Sequence, residues 1–153
     1  MAQDAQGQDR PDLAAMMVPL GRALMAAEQP ILDAHGLAMW AYAVLLRLDA
    51  DPLRTQAALA EAIGADKTRI IAVLDDLTNR GLISREPDPL DRRVRLLSLT
   101  PEGRALRDAV QREIQAGEER LLAALPAADR AGLLRGLRAL AALPSVTLAR
   151  PPQ

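Results

Sequence analysis

Between Gly81 and Thr100 a sequence patterned for helix stops being helical, and that interruption limits the fold more than any other feature of the chain. On either side, leucines and other aliphatic residues recur every three or four positions, the spacing of a buried helix face. Within it, Leu82 and Ile83 open a short extended run that Pro87-Asp88-Pro89 breaks with strong turn chemistry. A second run, Val94 to Leu99, carries Leu97 and Leu99 on one face. The pattern is that of a β-hairpin set between helices.

The helices ahead of the hairpin can be bounded by their caps and breaks. Leu13, Met17, Leu20, Leu24, Ala27 and Ile31 mark a first helix, which Pro19 and Pro30 are expected to bend or loosen. Gly36 breaks the pattern, and Trp40, Val44, Leu45 and Leu48 carry a second helix that ends before Asp51-Pro52. Thr55 is placed to cap a short helix through Ala58, Leu59, Ala62 and Ile63, and Gly64 supplies a sharp turn. Asp66 caps the next helix, Asp66 to Arg80, whose inward face is Ile70, Val73, Leu74 and Leu77. After the hairpin, Thr100-Pro101-Glu102 is a helix start, with a capping hydroxyl, proline at the first position and an acid in the first turn. A long helix then aligns Leu106, Val110, Ile114, Leu121 and Leu125, and a last one after Pro126 aligns Leu133, Leu137, Leu140 and Leu143. Two helices joined by a tight glycine turn and followed by a hairpin make a winged helix-turn-helix. The expected class is mainly α with a small β-hairpin.

Composition narrows the chemistry. Trp40 and Tyr42 are the only aromatic residues among 153, and phenylalanine is absent, so the core must be aliphatic. A net charge of −1 does not announce a nucleic-acid binder, but binding depends on where basic groups cluster. All basic side chains but Lys67 and His35 are arginines. Without cysteine there is no thiol redox sensing, Cys-ligated zinc or disulfide, and His35 is the only histidine. No nucleophile–base pair and no metal-ligand set can be assembled, so neither catalysis nor a metal or cofactor is expected. With neither a charged-then-apolar leader nor an apolar stretch near the ~20 residues of a membrane span, the expectation is a cytoplasmic protein without a membrane partner.

The hairpin tip carries the most specific signal. It reads Arg85-Glu86-Pro87-Asp88-Pro89-Leu90-Asp91-Arg92-Arg93. A structural turn does not need consecutive arginines, whose charges repel unless an anion offsets them, and DNA phosphate is the obvious counterpart. A solvated charge pair is the plainer alternative. An arginine-tipped ribbon suits the negative potential of a narrow minor groove, with Asp91 orienting Arg93 or bracing the wing.

From Gly81 to Thr100 the sequence resembles the wing of the MarR (multiple antibiotic resistance regulator) family. The family signature is Asp-x-Arg, three residues, an aliphatic, x and Leu-Thr; Asp91, Arg93, Leu97, Leu99 and Thr100 fill it in register. The helix order extends the resemblance over roughly Leu13 to Leu143. It implies a DNA-binding transcriptional regulator, a repressor of palindromic operators, built as a homodimer through its first and last helices. It also implies release by a small organic ligand, often aromatic or phenolic. On this sequence, residues 1–12 are expected to be a disordered segment, 13–143 a single domain and 144–153 a tail. Within that domain, 13–34 and 101–143 would be dimerisation helices and 37–100 the DNA-binding lobe.

The resemblance places Lys67, Thr68 and Arg69 at the start of the recognition helix, facing base edges and phosphates. Thr55 and Gln56 would touch phosphate from the preceding helix, and Arg85, Asp91, Arg92 and Arg93 would act from the wing. Asp75 and Asp76 stand where many relatives carry an arginine. Acids there would repel phosphate, so that half of the helix is expected to point away from the duplex, or operator affinity to be modest. Met17, His35 and Trp40 are candidate effector-binding residues, although methionine and tryptophan are also plain core filler in a chain without phenylalanine, and His35 can simply close a helix end. Two other readings stay open at this level: a winged helix used only for protein interaction, and a DNA-binding regulator with no ligand.

Overall fold

A computed structural model describes residues 10–50 and 54–143. Of the terminal segments read from the sequence, residues 1–9 and 144–153 lie outside the described residues. The elements in order are α1 (Leu13–Ala34), α2 (Met39–Ala50), β1 (Arg54–Thr55), α3 (Gln56–Ile63), α4 (Lys67–Asn79), β2 (Ile83–Pro87), β3 (Arg95–Leu99), α5 (Pro101–Leu122) and α6 (Ala127–Ala141). Contacts divide the chain into two compact units, one up to Ile114 and one from Gln115. Among the described residues no single helix is long and apolar enough to cross a membrane.

The first unit is a winged helix around an aliphatic core. Leu45 and Leu48 of α2, Leu59 of α3, Leu74 and Leu77 of α4 and Leu97 of β3 are fully buried and belong to one cluster. Each such leucine contributes about 1.5–3 kcal/mol by leaving water. The helix ends are those that the local sequence dictates. Thr55 Oγ1 accepts from Ala58 N at 3.1 Å, and Asp66 Oδ1 accepts from Arg69 N at 2.8 Å. Gly64 (φ 69°) and Gly81 (φ 71°) close α3 and α4 in the left-handed conformation, with Ala65 N donating to Ala60 O and Leu82 N to Leu77 O. Thr100 does two jobs: its hydroxyl donates to Gly81 O at 2.7 Å and accepts from Gly103 N at 3.0 Å, tying the foot of the wing to the start of α5.

The structure adds three features to the sequence reading. The wing is a three-stranded antiparallel sheet in the order β1-β3-β2, because Arg54 and Thr55 pair with Leu97 and Leu96 on the far edge of β3. Two residues are too short a run to show alternation, so only the tertiary pairing reveals the strand. The helix α1 runs through both Pro19 and Pro30 to Ala34; each proline removes one ladder bond, and the remaining bonds carry the helix. Gly103 is buried so close to the backbone of Leu82 that a Cβ there would lie 1.9 Å from the Leu82 carbonyl oxygen.

Not every aliphatic face is covered. On α1, Leu13, Met16, Met17, Val18, Leu20 and Met25 are between 43 and 55% exposed, and Leu32 is the helix's one fully shielded residue. In the second unit, Arg130 pairs with Glu119 at 2.7 Å, while α6 has no buried residue at all.

Candidate nucleic-acid interface

The helix-turn-helix consists of α3, the Gly64 turn and α4. Asp66, as the cap of α4, leaves Lys67, Thr68 and Arg69 as its first three residues, all exposed. Anions are favoured at such an end, where free amide N–H groups and the helix dipole add to the lysine and arginine charges. Thr55 and Gln56 open α3 half-buried; the Thr55 oxygen is occupied as acceptor by its capping bond, which leaves its O–H proton as the group a phosphate can take.

The wing tip is a braced loop. Asp88 N donates to Val94 O at 2.8 Å, Leu90 N to Asp88 Oδ1 at 2.9 Å and Val94 N to Asp91 O at 2.9 Å. Asp91 then holds Arg93 three ways: it accepts from the Arg93 backbone N and Nε, both at 3.1 Å, and from Nη2 at 3.3 Å. The guanidinium of Arg93 lowers the carboxyl of Asp91 below its ordinary range, first through the side-chain bond and then through the backbone bond. The Arg93 side chain is nonetheless 91% exposed, so the carboxylate aims the guanidinium without covering it. Arg92 is exposed beside it, and Leu90 projects almost wholly into solvent.

Arg85 sits differently. Its Nη1 donates to Asp75 Oδ1 at 2.7 Å, and its Nε and Nη2 are buried without a hydrogen-bond partner, so it joins β2 to α4 at the root of the wing. The same bond accounts for the acids on the recognition helix. Asp75 is matched by Arg85, and Asp76 by Arg80 at 3.4 Å, so neither stands as an unpaired negative charge. Arg80 Nη1 also donates to Gly36 O at 2.9 Å, linking the end of α4 to the turn between α1 and α2. No sequence spacing signals these ties, because the partners lie 10 and 44 positions apart.

The three effector candidates make contacts in separate places. Met17 lies on the exposed part of α1. His35 closes α1, and its Nε2 is 2.8 Å from Glu113 Oε1 of α5. Trp40, near the start of α2, lies under Arg69, whose guanidinium carbon is 5.6 Å from the ring centroid. Asp49 at the end of α2 pairs with Arg107 and Arg104 of α5, and the bond from Arg107 is the main cause of its lowered pKa.

Comparison with known proteins agrees with this geometry. Residues 35–94 match the MarR family model. The repressor CouR of Rhodococcus jostii RHA1, solved bound to a 23-mer DNA duplex, is 31% identical, with a TM-score of 0.71 over 85% of this chain and 92% of that one. This chain belongs to the MarR family. PcaV of Streptomyces coelicolor, a transcriptional regulator solved with its natural ligand, is also 31% identical, with a TM-score of 0.63 over 86% of this chain and 96% of the other. A proposed regulator of the hcr operon of Thauera aromatica is 32% identical over 107 residues, 70% of this chain and 64% of that protein. The match therefore spans slightly less than two thirds of that relative. The MarR winged helix is a regulatory, DNA-binding fold.

Proposed function

We propose that this MarR-family chain is a repressor that binds a two-fold operator as a homodimer and is released by a small aromatic ligand. The observation that carries the reading is the pairing of two basic elements in one unit. The capped start of α4 presents Lys67, Thr68 and Arg69, and the braced wing presents Arg92 and Arg93. Asp75 and Asp76, the nearby acids that would oppose phosphate, are engaged by arginines. Lys67, Thr68 and Arg69 are assigned to the major groove, Arg92 and Arg93 to the minor groove or its phosphates, and Thr55 and Gln56 to backbone phosphate. Asp91 and Arg85 act by holding these elements in place.

The dimer is supported by the uncovered aliphatic residues of α1 and, separately, of α6; contiguous exposed apolar surface on a small protein marks an association site. The repressor reading is supported by CouR, named a transcriptional repressor. Release by a ligand is supported by PcaV, solved with its natural ligand, and the aromatic class by CouR bound to p-coumaroyl-CoA, an aromatic thioester.

Titration of a random-sequence duplex against the protein at several salt concentrations tests the core of the reading. Affinity should fall steeply with salt, with a log–log slope of about −0.9 per phosphate neutralised. A protein that binds no duplex at low salt would leave the winged helix as an interaction module.

A further inference from the structure

Arg69 is restrained on three sides before any DNA arrives. Its backbone N–H is taken by the Asp66 cap at 2.8 Å, its Nε lies 3.7 Å from Asp66 Oδ2, and its guanidinium rests over the Trp40 ring at 5.6 Å. Its side chain is still 55% exposed. A guanidinium is a flat group with two kinds of surface: a face that stacks on an aromatic ring, and an edge that carries the N–H donors. A ring contact made through the face leaves the outer Nη donors of that edge for another partner, even with Nε beside Asp66. A guanine presents two acceptors, O6 and N7, to that edge in the major groove. Arginine is a long side chain with many rotamers, and one already seated on a ring loses less freedom when it binds.

We propose that Trp40 is a positioning residue for DNA reading: it seats the Arg69 guanidinium so that its edge meets one guanine in each operator half-site. The proposal rests on the DNA-binding reading above. It gives the single tryptophan of the chain a role on the recognition helix, and it makes Arg69 a specificity determinant whose geometry matters beyond its charge.

Selection of bound sequences from a random duplex library tests it, using the full-length protein. Wild type should enrich a half-site with one fixed guanine. Trp40→Leu, shown to be folded by thermal melting, should relax the preference at that position by about tenfold. Arg69→Lys keeps the charge but has no flat face, and should relax the same position. The double variant should be no worse than Arg69→Lys alone. Trp40→Phe retains a ring face and should keep most of the preference; it serves in the same cycle if Trp40→Leu fails to fold. Undiminished guanine preference in folded Trp40→Leu would overturn the proposal, as would an additive loss in the double variant or a selected half-site without a fixed guanine. A wild-type protein that enriches no sequence and binds no duplex would instead overturn the DNA-binding reading itself.

Discussion

In the helix-turn-helix and wing, Leu59, Leu74, Leu77 and Leu97 are shielded completely by residues of the same chain, whereas Leu133, Leu137 and Leu140 of α6 remain 41 to 49% exposed. The helical spacing that carries them is the same in both regions. What differs is whether the chain supplies a second surface. The lobe supplies its own, through α2 and the β-sheet; α6, and separately the first half of α1, do not. An amphipathic spacing thus identifies a face to be buried but does not say by which chain. Here the lobe is self-sufficient, and the terminal helices carry the surface assigned above to a second copy.

That contrast can be broken most severely inside the lobe. Gly103→Ala would drive a methyl group into the Leu82 carbonyl, and α5 would have to move off the root of the wing. We expect a loss of about 3 kcal/mol or more, at the upper end of overpacking costs, independent of protein concentration. Leu97→Ala should cost about 2–5 kcal/mol, also at every concentration. Denaturant titration measures both. On α6 the same chemistry should behave differently: Leu137→Ala should cost about 1 kcal/mol, because the side chain is already partly exposed, and the loss should grow on dilution. A concentration-independent loss as large as that of Leu97→Ala would erase the distinction.

A smaller effect should come from the tie between α2 and α5. Arg107 lowers the Asp49 pKa below its ordinary 3.8, so the stabilisation is complete above that value and is lost as pH falls through the lowered one. Thermal melting between about pH 6 and pH 3 should show a steeper acid limb for wild type than for Asp49→Asn. The smallest effect on stability belongs to the wing tip. Arg93→Ala should shift folding by less than ~0.5 kcal/mol while weakening duplex binding by roughly 1–3 kcal/mol and lowering the salt slope by about one unit. An unchanged Kd in the folded variant would remove Arg93 from the interface.

What could be read in the sequence follows one physical line. The caps Thr55, Asp66 and Thr100, and the turns at Gly64 and Gly81, depend on groups within a few residues of one another, so their chemistry is written locally. The Asp91–Arg93 clamp joins residues two positions apart and is local in the same sense. The strand β1, the Arg85–Asp75 and Arg80–Gly36 ties and the Trp40–Arg69 stack exist only once separate elements pack. Arg85 shows the consequence. In sequence it is one more arginine near the wing tip, but in the fold its guanidinium is turned onto the recognition helix. Gly103 looks like an unfavourable residue in a helix, and only the approach of Leu82 explains it.

The stoichiometry of the protein on DNA separates a two-fold repressor from a monomeric binder. Sedimentation of the full chain at micromolar concentration, alone and with a duplex recovered by library selection, separates the outcomes. A homodimeric repressor should run free at twice the 16.4 kDa chain mass and form a complex of two chains on one duplex with two-fold sequence symmetry. A 16.4 kDa monomer in solution that binds an asymmetric site as a single chain would contradict it.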